Sequence, residues 1–140
     1  MSTTDPVAKE ERIRGEFICV VCPNGCPIDA EFTRGESPRL ISHEGAKCKR
    51  GEAWIVQEIE MPMRTIASSV LVEGGDYCAA SVRTNRPIPL ASIPAVMEAV
   101  RTVTLQAPVA IGQIVLAHPA GTDTDIIATR NVVKECENTI

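Results

Sequence analysis

Three cysteines within eight residues, Cys19, Cys22 and Cys26 in "CVVCPNGC", and a fourth, Cys48, opening "CKRG", restrict this chain more than any other feature of it. Thiolates separated by two and three residues on a turn containing Gly25, with Pro23 and Pro27 restraining the backbone, point toward one centre, and the remote Cys48 closes the cage. Six cysteines in 140 residues would suit a disulfide framework in a secreted chain. The opening "MSTTDPVAKEERIRGEF" carries no apolar signal segment, so the expectation is a cytoplasmic protein in a reducing compartment. Metal binding by Cys19, Cys22, Cys26 and Cys48 follows. Cys78 and Cys136 stand apart and read as small buried or incidental residues without an assigned role.

The spacing also bears on the metal. Structural zinc is usually held by two separated pairs of ligands, whereas three ligands from one tight loop and a fourth from elsewhere suit a 4Fe-4S cubane. Iron-sulfur is therefore preferred, with Zn2+ as the alternative. Four thiolates around either centre leave a net charge of about minus two, which Lys47, Lys49 and Arg50 can offset, aided by the positive end of a helix starting after Cys48. Lys49 and Arg50 read equally as solvated first-turn residues. Gly51 reads either as close packing beside the centre or as a helix-start glycine.

Composition limits what else the chain can do. Its length suits one domain or two small lobes and excludes a large catalytic fold. Hydrophobic residues reach 44%, but aromatics only 3%, so the core has to be built from Val, Ile, Leu and Ala. A net charge of -4 and the scarcity of aromatic platforms argue against nucleic-acid binding. No run approaches the roughly 18 apolar residues of a membrane span.

Along the chain, residues 1–15 read as a mobile arm with order beginning near Glu16. "EFICVV" and "IDAEF" read as strands around the turn "CPNGCP", "RLISH" as a third strand, and "EGAK" as the turn delivering Cys48. "KRGEAWIVQEI" reads as a helix ending before Pro62, with Trp54, Ile55 and Ile59 facing a core. These elements form a cysteine-rich lobe over 16–62. In 63–140, "RTIASSVLVEGGDYCAASVRT" reads as a hairpin around Gly74 and Gly75, Pro87 and Pro89 interrupt the chain, and Ser92 caps a helix over about 92–103 whose Ile93, Val96, Met97, Val100 and Val103 recur at helical spacing. The rest alternates short apolar runs with turns. The expected class is α+β: a small metal-binding β-hairpin lobe, then a helix, then a β-rich lobe with one amphipathic helix.

The run from Cys19 to about Glu58 resembles the amino-terminal iron-sulfur segment of molybdopterin oxidoreductases, with C-x2-C-x3-C at Cys19, Cys22 and Cys26 and C-x-[KR]-G at Cys48 to Gly51. The resemblance implies a 4Fe-4S cluster, with Arg50 at the position of the basic residue between cluster and pterin. It covers less than a third of the chain, which has no pterin-binding domains. Over its full length, through "CVVCPNGC", "CKRGEAWIVQE", "PMRTIASSVLVEGG", "VRTNRPIPLASI" and "APVAIGQIVLAHPAGTDTDIIAT", the chain resembles a family of small four-cysteine proteins of unknown function. Members of that family resemble accessory subunits of FAD-dependent dehydrogenases of the glycerol-3-phosphate dehydrogenase type, found with a FAD/NAD-linked oxidoreductase. The resemblance implies both as partner subunits.

Other candidates carry less. His43, five residues before Cys48, reads as a satisfied or solvated histidine rather than a ligand, and His118 has no recognisable partner. Asp123 and Asp125 in "GTDTD" lack EF-hand spacing and read as turn residues. No glycine-rich phosphate loop or Ser-His-Asp set is present. The expected function is therefore electron transfer by a 4Fe-4S subunit of a larger oxidoreductase, not catalysis alone. A structural zinc module within such an assembly is the alternative, and a thiol redox protein using Cys19 and Cys22 is a third reading.

Overall fold

The structure, a computed structural model, describes residues 11–135 and divides into two compact units, Met1–Pro62 and Met63–Ile140. The fold is mixed α+β, as the sequence implied.

In the first unit, β1 (Arg12–Ile18), β2 (Pro27–Thr33) and β3 (Leu40–Glu44) form an antiparallel sheet in the order β1-β2-β3, followed by α1 (Lys49–Glu60). The register sets Phe17 opposite Ile28 and Gly15 opposite Ala30. That row faces inward, because side chains alternate across a pleated strand and the apolar set lies on one side. Ile28 and Ala30 are buried with Ile55 and Ile59 of α1, and Phe17, Phe32, Leu40, Ala46 and Trp54 pack around them. The two phenylalanine rings meet edge to face at 5.8 Å. Gly51, Ile55 and Ile59 are the buried residues of α1 and recur every four positions, so a single stripe both fills the core and turns the helix start toward the cysteines. The helix stops where Met61 N–H donates to the Gln57 carbonyl and Pro62 follows.

Two expectations change here. Strand β1 begins at Arg12, inside the stretch expected to be an arm, because Ile13 and Gly15 continue the inward row opposite Phe32 and Ala30. Residues 1–10 of that arm lie outside the described residues. The strand also ends at Ile18 instead of running through "CVV": Cys19 N–H donates to the Cys26 carbonyl at 2.9 Å, and the chain between them leaves the sheet.

In the second unit, β4 (Met63–Arg64) pairs with β7 (Ile88–Pro89), while β5 (Ala67–Glu73), β6 (Ala79–Thr84), β8 (Thr104–Gln106), β9 (Ile114–Ala117) and β10 (Asp125–Ala128) form a sheet in the order β8-β5-β6-β10-β9. All neighbours in it are antiparallel except β5 and β8, which are parallel and are separated in sequence by α2 (Ile93–Arg101). A parallel pair needs such a crossover connection. Val70, Val72, Ala80, Val82, Ile126 and Ala128 of the sheet are buried with Val96 and Val100 of α2, a wholly aliphatic core. The helix is shorter than expected. Residues Leu90–Ser92 form a 3-10 turn, Ser92 makes no side-chain cap, and Pro94 in the first turn lacks the N–H a cap would serve. At the other end, Val103 N–H donates to the Val100 carbonyl beyond the last helical residue, Arg101. Buried Thr124 ties the β9–β10 connection to the end of β6: its hydroxyl donates to Asn85 Oδ1 at 2.8 Å and accepts from Arg86 N–H at 3.2 Å.

Candidate metal centre

The cysteine loop is built by the β1–β2 connection and the start of α1. Beyond the Cys19–Cys26 bond, Gly25 adopts φ +55, a left-handed conformation that costs glycine little, and its N–H reaches the Cys22 carbonyl at 3.5 Å. The turn that delivers Cys48 depends on Gly45 at φ +97, where any Cβ would run into the Pro27 carbonyl oxygen. The loop and the turn are thus pressed together by one close backbone approach that only glycine permits.

Cys48 is the N-cap of α1. Its Sγ accepts from Gly51 N–H at 3.5 Å, and its carbonyl accepts from Glu52 N–H at 3.1 Å. The Gly51 N–H holds the Cys48 thiol below its ordinary pKa; desolvation opposes this, and the N–H, charge and side chain of Arg50 reinforce it. A thiolate is the form a metal takes.

Gly51 also brings the cysteines together. A Cβ placed on it would lie 3.7 Å from Cys19 Sγ, 3.9 Å from Cys48 Sγ and 3.9 Å from Ala46 Cβ. Sulfurs from the end of β1 and the cap of α1 therefore border the same small space, which the missing side chain leaves open. Cys19 and Cys26 are buried, Cys22 is half-buried, and Cys48 is exposed. These four and Cys78 are free thiols. Among the described residues, no three His, Cys, Asp or Glu side chains stand as a ready-made metal group. Ligation would draw the sulfurs inward by rotation about χ1, and the soft four-thiol donor set and the open space at Gly51 fit a thiolate-held metal or cluster.

Of the four residues expected around the ligands, Gly51 donates its N–H to Cys48 Sγ and Arg50 helps to lower the pKa of that thiol, while Lys47 and Lys49 flank Cys48 on the exposed side. His43 lies on β3 opposite Ala30, with its Nδ1 buried and without a hydrogen-bond partner. That corrects the expectation of a satisfied or solvated histidine, and the cause is its place in the row that faces the core. Cys78 is exposed in the β5–β6 connection, which leaves the incidental of its two readings and not the buried one. Cys136 lies outside the described residues. His118 does have partners: its N–H donates to Asp125 Oδ1 at 3.3 Å and its Nδ1 pairs with the Thr122 carbonyl at 3.2 Å. Asp123 ion-pairs with Arg86 on the surface. The sequence reading missed the exposed aliphatic rim of the loop, Val20 and Val21, by assigning them to a strand; the following Cys22-Pro23 was the available signal that the strand had already ended.

Among the described residues, no helix is long and apolar enough to cross a membrane. No curated protein matches the chain. The NMR structure of a Clostridium perfringens protein is similar, at 23% identity and a TM-score of 0.48, with the match covering 53% of this chain and 88% of that one. A family profile described as "Protein of unknown function (DUF1667)" matches residues 49–130, starting at the residue after Cys48. With more than half of its length matched, the chain belongs to that family.

Proposed function

We propose that the chain is an iron-sulfur (4Fe-4S) electron-transfer subunit of a multi-subunit FAD-dependent dehydrogenase. The observation that carries the reading is the meeting of Cys19 and Cys48 at Gly51, with Arg50 acting on the Cys48 thiol and Cys22 and Cys26 on the same loop. Cys19, Cys22, Cys26 and Cys48 would hold the cluster, which when bound supplies a one-electron couple. Arg50 and the N–H of Gly51 favour the thiolate of Cys48, and Lys47 and Lys49 add positive charge beside it. Burial of Cys19 and Cys26 keeps water from one side of the site, while the exposed Cys48 side is open to a partner. Positive charge here favours a more reduced, more negative centre and so raises its potential. The dehydrogenase partner of the glycerol-3-phosphate type, and the second FAD/NAD-linked subunit, rest on the sequence resemblance alone.

Anaerobic purification with iron, sulfide and zinc analysis and a visible spectrum tests this. Broad charge-transfer absorption with about four irons per chain, lost in Cys22→Ser and Cys48→Ser, is expected. A colourless chain with one zinc refutes electron transfer and leaves the structural zinc module.

A further inference from the structure

The rim of the cysteine lobe has two sectors. Ile18, Val20 and Val21, which flank Cys19 and Cys22, are 51%, 74% and 38% exposed, so three aliphatic side chains face solvent on one short loop. Lys47, Lys49 and Arg50, which flank Cys48, are exposed as well, against two acidic residues, Glu44 before the turn and Glu52 in the first turn of α1. The sectors adjoin, because Cys19 Sγ and Cys48 Sγ border the same space at Gly51. In a chain whose net charge is -4, this cation excess is local.

An exposed apolar centre beside one sign of charge is the composition of a protein docking face. Apolar surface alone selects no partner, but the cations do: they speed encounter with an acidic surface and repel a basic one. We propose that Ile18, Val20 and Val21 with Lys47, Lys49 and Arg50 form the docking surface for an acidic redox protein, one whose own face carries an apolar spot rimmed by Asp and Glu. This rests on the electron-transfer reading, which requires a partner to approach the cysteines. A rim of this kind places the partner directly over Cys48, the exposed one of the four clustered thiols, where the separation between centres would be shortest.

The test is zero-length carbodiimide cross-linking, which joins a lysine amine to a carboxylate in direct contact, on the anaerobically prepared chain. An acidic flavodoxin and a basic c-type cytochrome serve as probes. Flavodoxin cross-links should map to Lys47 and Lys49 over Lys134, which is exposed on the other unit and serves as an internal control. Their yield should fall about tenfold from about 0.02 M to about 0.2 M salt. Val20→Asp, at a position too exposed to disturb the core, should lower it several-fold. Equal labelling of Lys134, an equal response to the cytochrome, insensitivity to salt, or an unchanged yield in Val20→Asp overturns the proposal. Iron and sulfide assays on the same samples report separately on the electron-transfer reading. An iron-free chain that still cross-links through Lys47 and Lys49 removes that reading and keeps the acidic docking partner, whereas an iron-loaded chain without such cross-links removes the docking surface alone.

Discussion

Gly51→Ala separates a glycine kept for room beside the sulfurs from one that is incidental to the helix. Gly51 is the third residue of α1, buried, and its backbone is not in the left-handed region, so alanine can adopt its conformation. Glycine within a helix is about 0.5–1 kcal/mol less favourable than alanine. The three neighbours of the added methyl, at 3.7 to 3.9 Å, are at ordinary van der Waals distance, so the metal-free chain has room for it. Metal-free Gly51→Ala should therefore be more stable than the parent by up to about 1 kcal/mol. In the loaded chain the sign reverses. The methyl occupies the space between the Cys19 and Cys48 sulfurs into which a bound centre would extend, and overpacking of that kind costs about 1–3 kcal/mol. Metal affinity should then fall at least about fivefold. Chemical denaturation of the metal-free and loaded forms, with a competitive chelator titration, measures both halves. A metal-free variant less stable than the parent, or unchanged affinity in the variant, refutes the reasoning.

The remaining predictions concern single contacts. In the metal-free chain at pH 7, Cys48 should be alkylated ahead of the also exposed Cys78, and Arg50→Gln should slow it, as peptide mapping after iodoacetamide will show. Because the folded pKa of Cys48 is lowered, its stability contribution is fully present above the unfolded value and is lost as pH falls through the folded one. Gly45→Ala should destabilise the first unit by more than a typical surface change and weaken metal uptake, since the Pro27 carbonyl must move; an unaltered denaturation midpoint removes that account. Ile55→Ala, at a side chain with 0% exposure, should cost about 2–5 kcal/mol by denaturation. Thr124→Val should cost about 1–3 kcal/mol, because it takes the acceptor from Arg86 N–H and leaves Asn85 Oδ1 with the Asp125 N–H alone.

Much of the fold was legible because its signals are local. The spacing of Ile55 and Ile59, with Pro62 beyond, specifies α1 almost to the residue, and the alternation at Val70, Val72, Ala80 and Val82 specifies the central strands. What was misread depends on pairing between distant segments. Arg12 to Gly15 look like a charged arm until Ala30 and Phe32 supply the strand opposite them. "CVV" has the β-branched composition of a strand, but its pairing ends at Ile18, so two valines are released to solvent.

The same division holds at the site. That Cys19, Cys22 and Cys26 share one loop could be read from spacing, since a short turn with glycine and proline holds them close. The importance of Gly51 could not, because helix-start glycines are common and only the approach of Cys19 Sγ, from a segment folded separately, shows what its missing side chain leaves open. Arg50 changes meaning in a similar way. Adjacency in sequence allows either a solvated first-turn cation or a partner of the centre, and its part in lowering the pKa of the Cys48 thiol favours the second. If Arg50 served solvation alone, Arg50→Lys and Arg50→Gln would leave Cys48 alkylation equally unchanged. If it acts on the thiol, the neutral variant slows the reaction more than the charged one, because glutamine removes the charge that stabilises the thiolate and lysine keeps it.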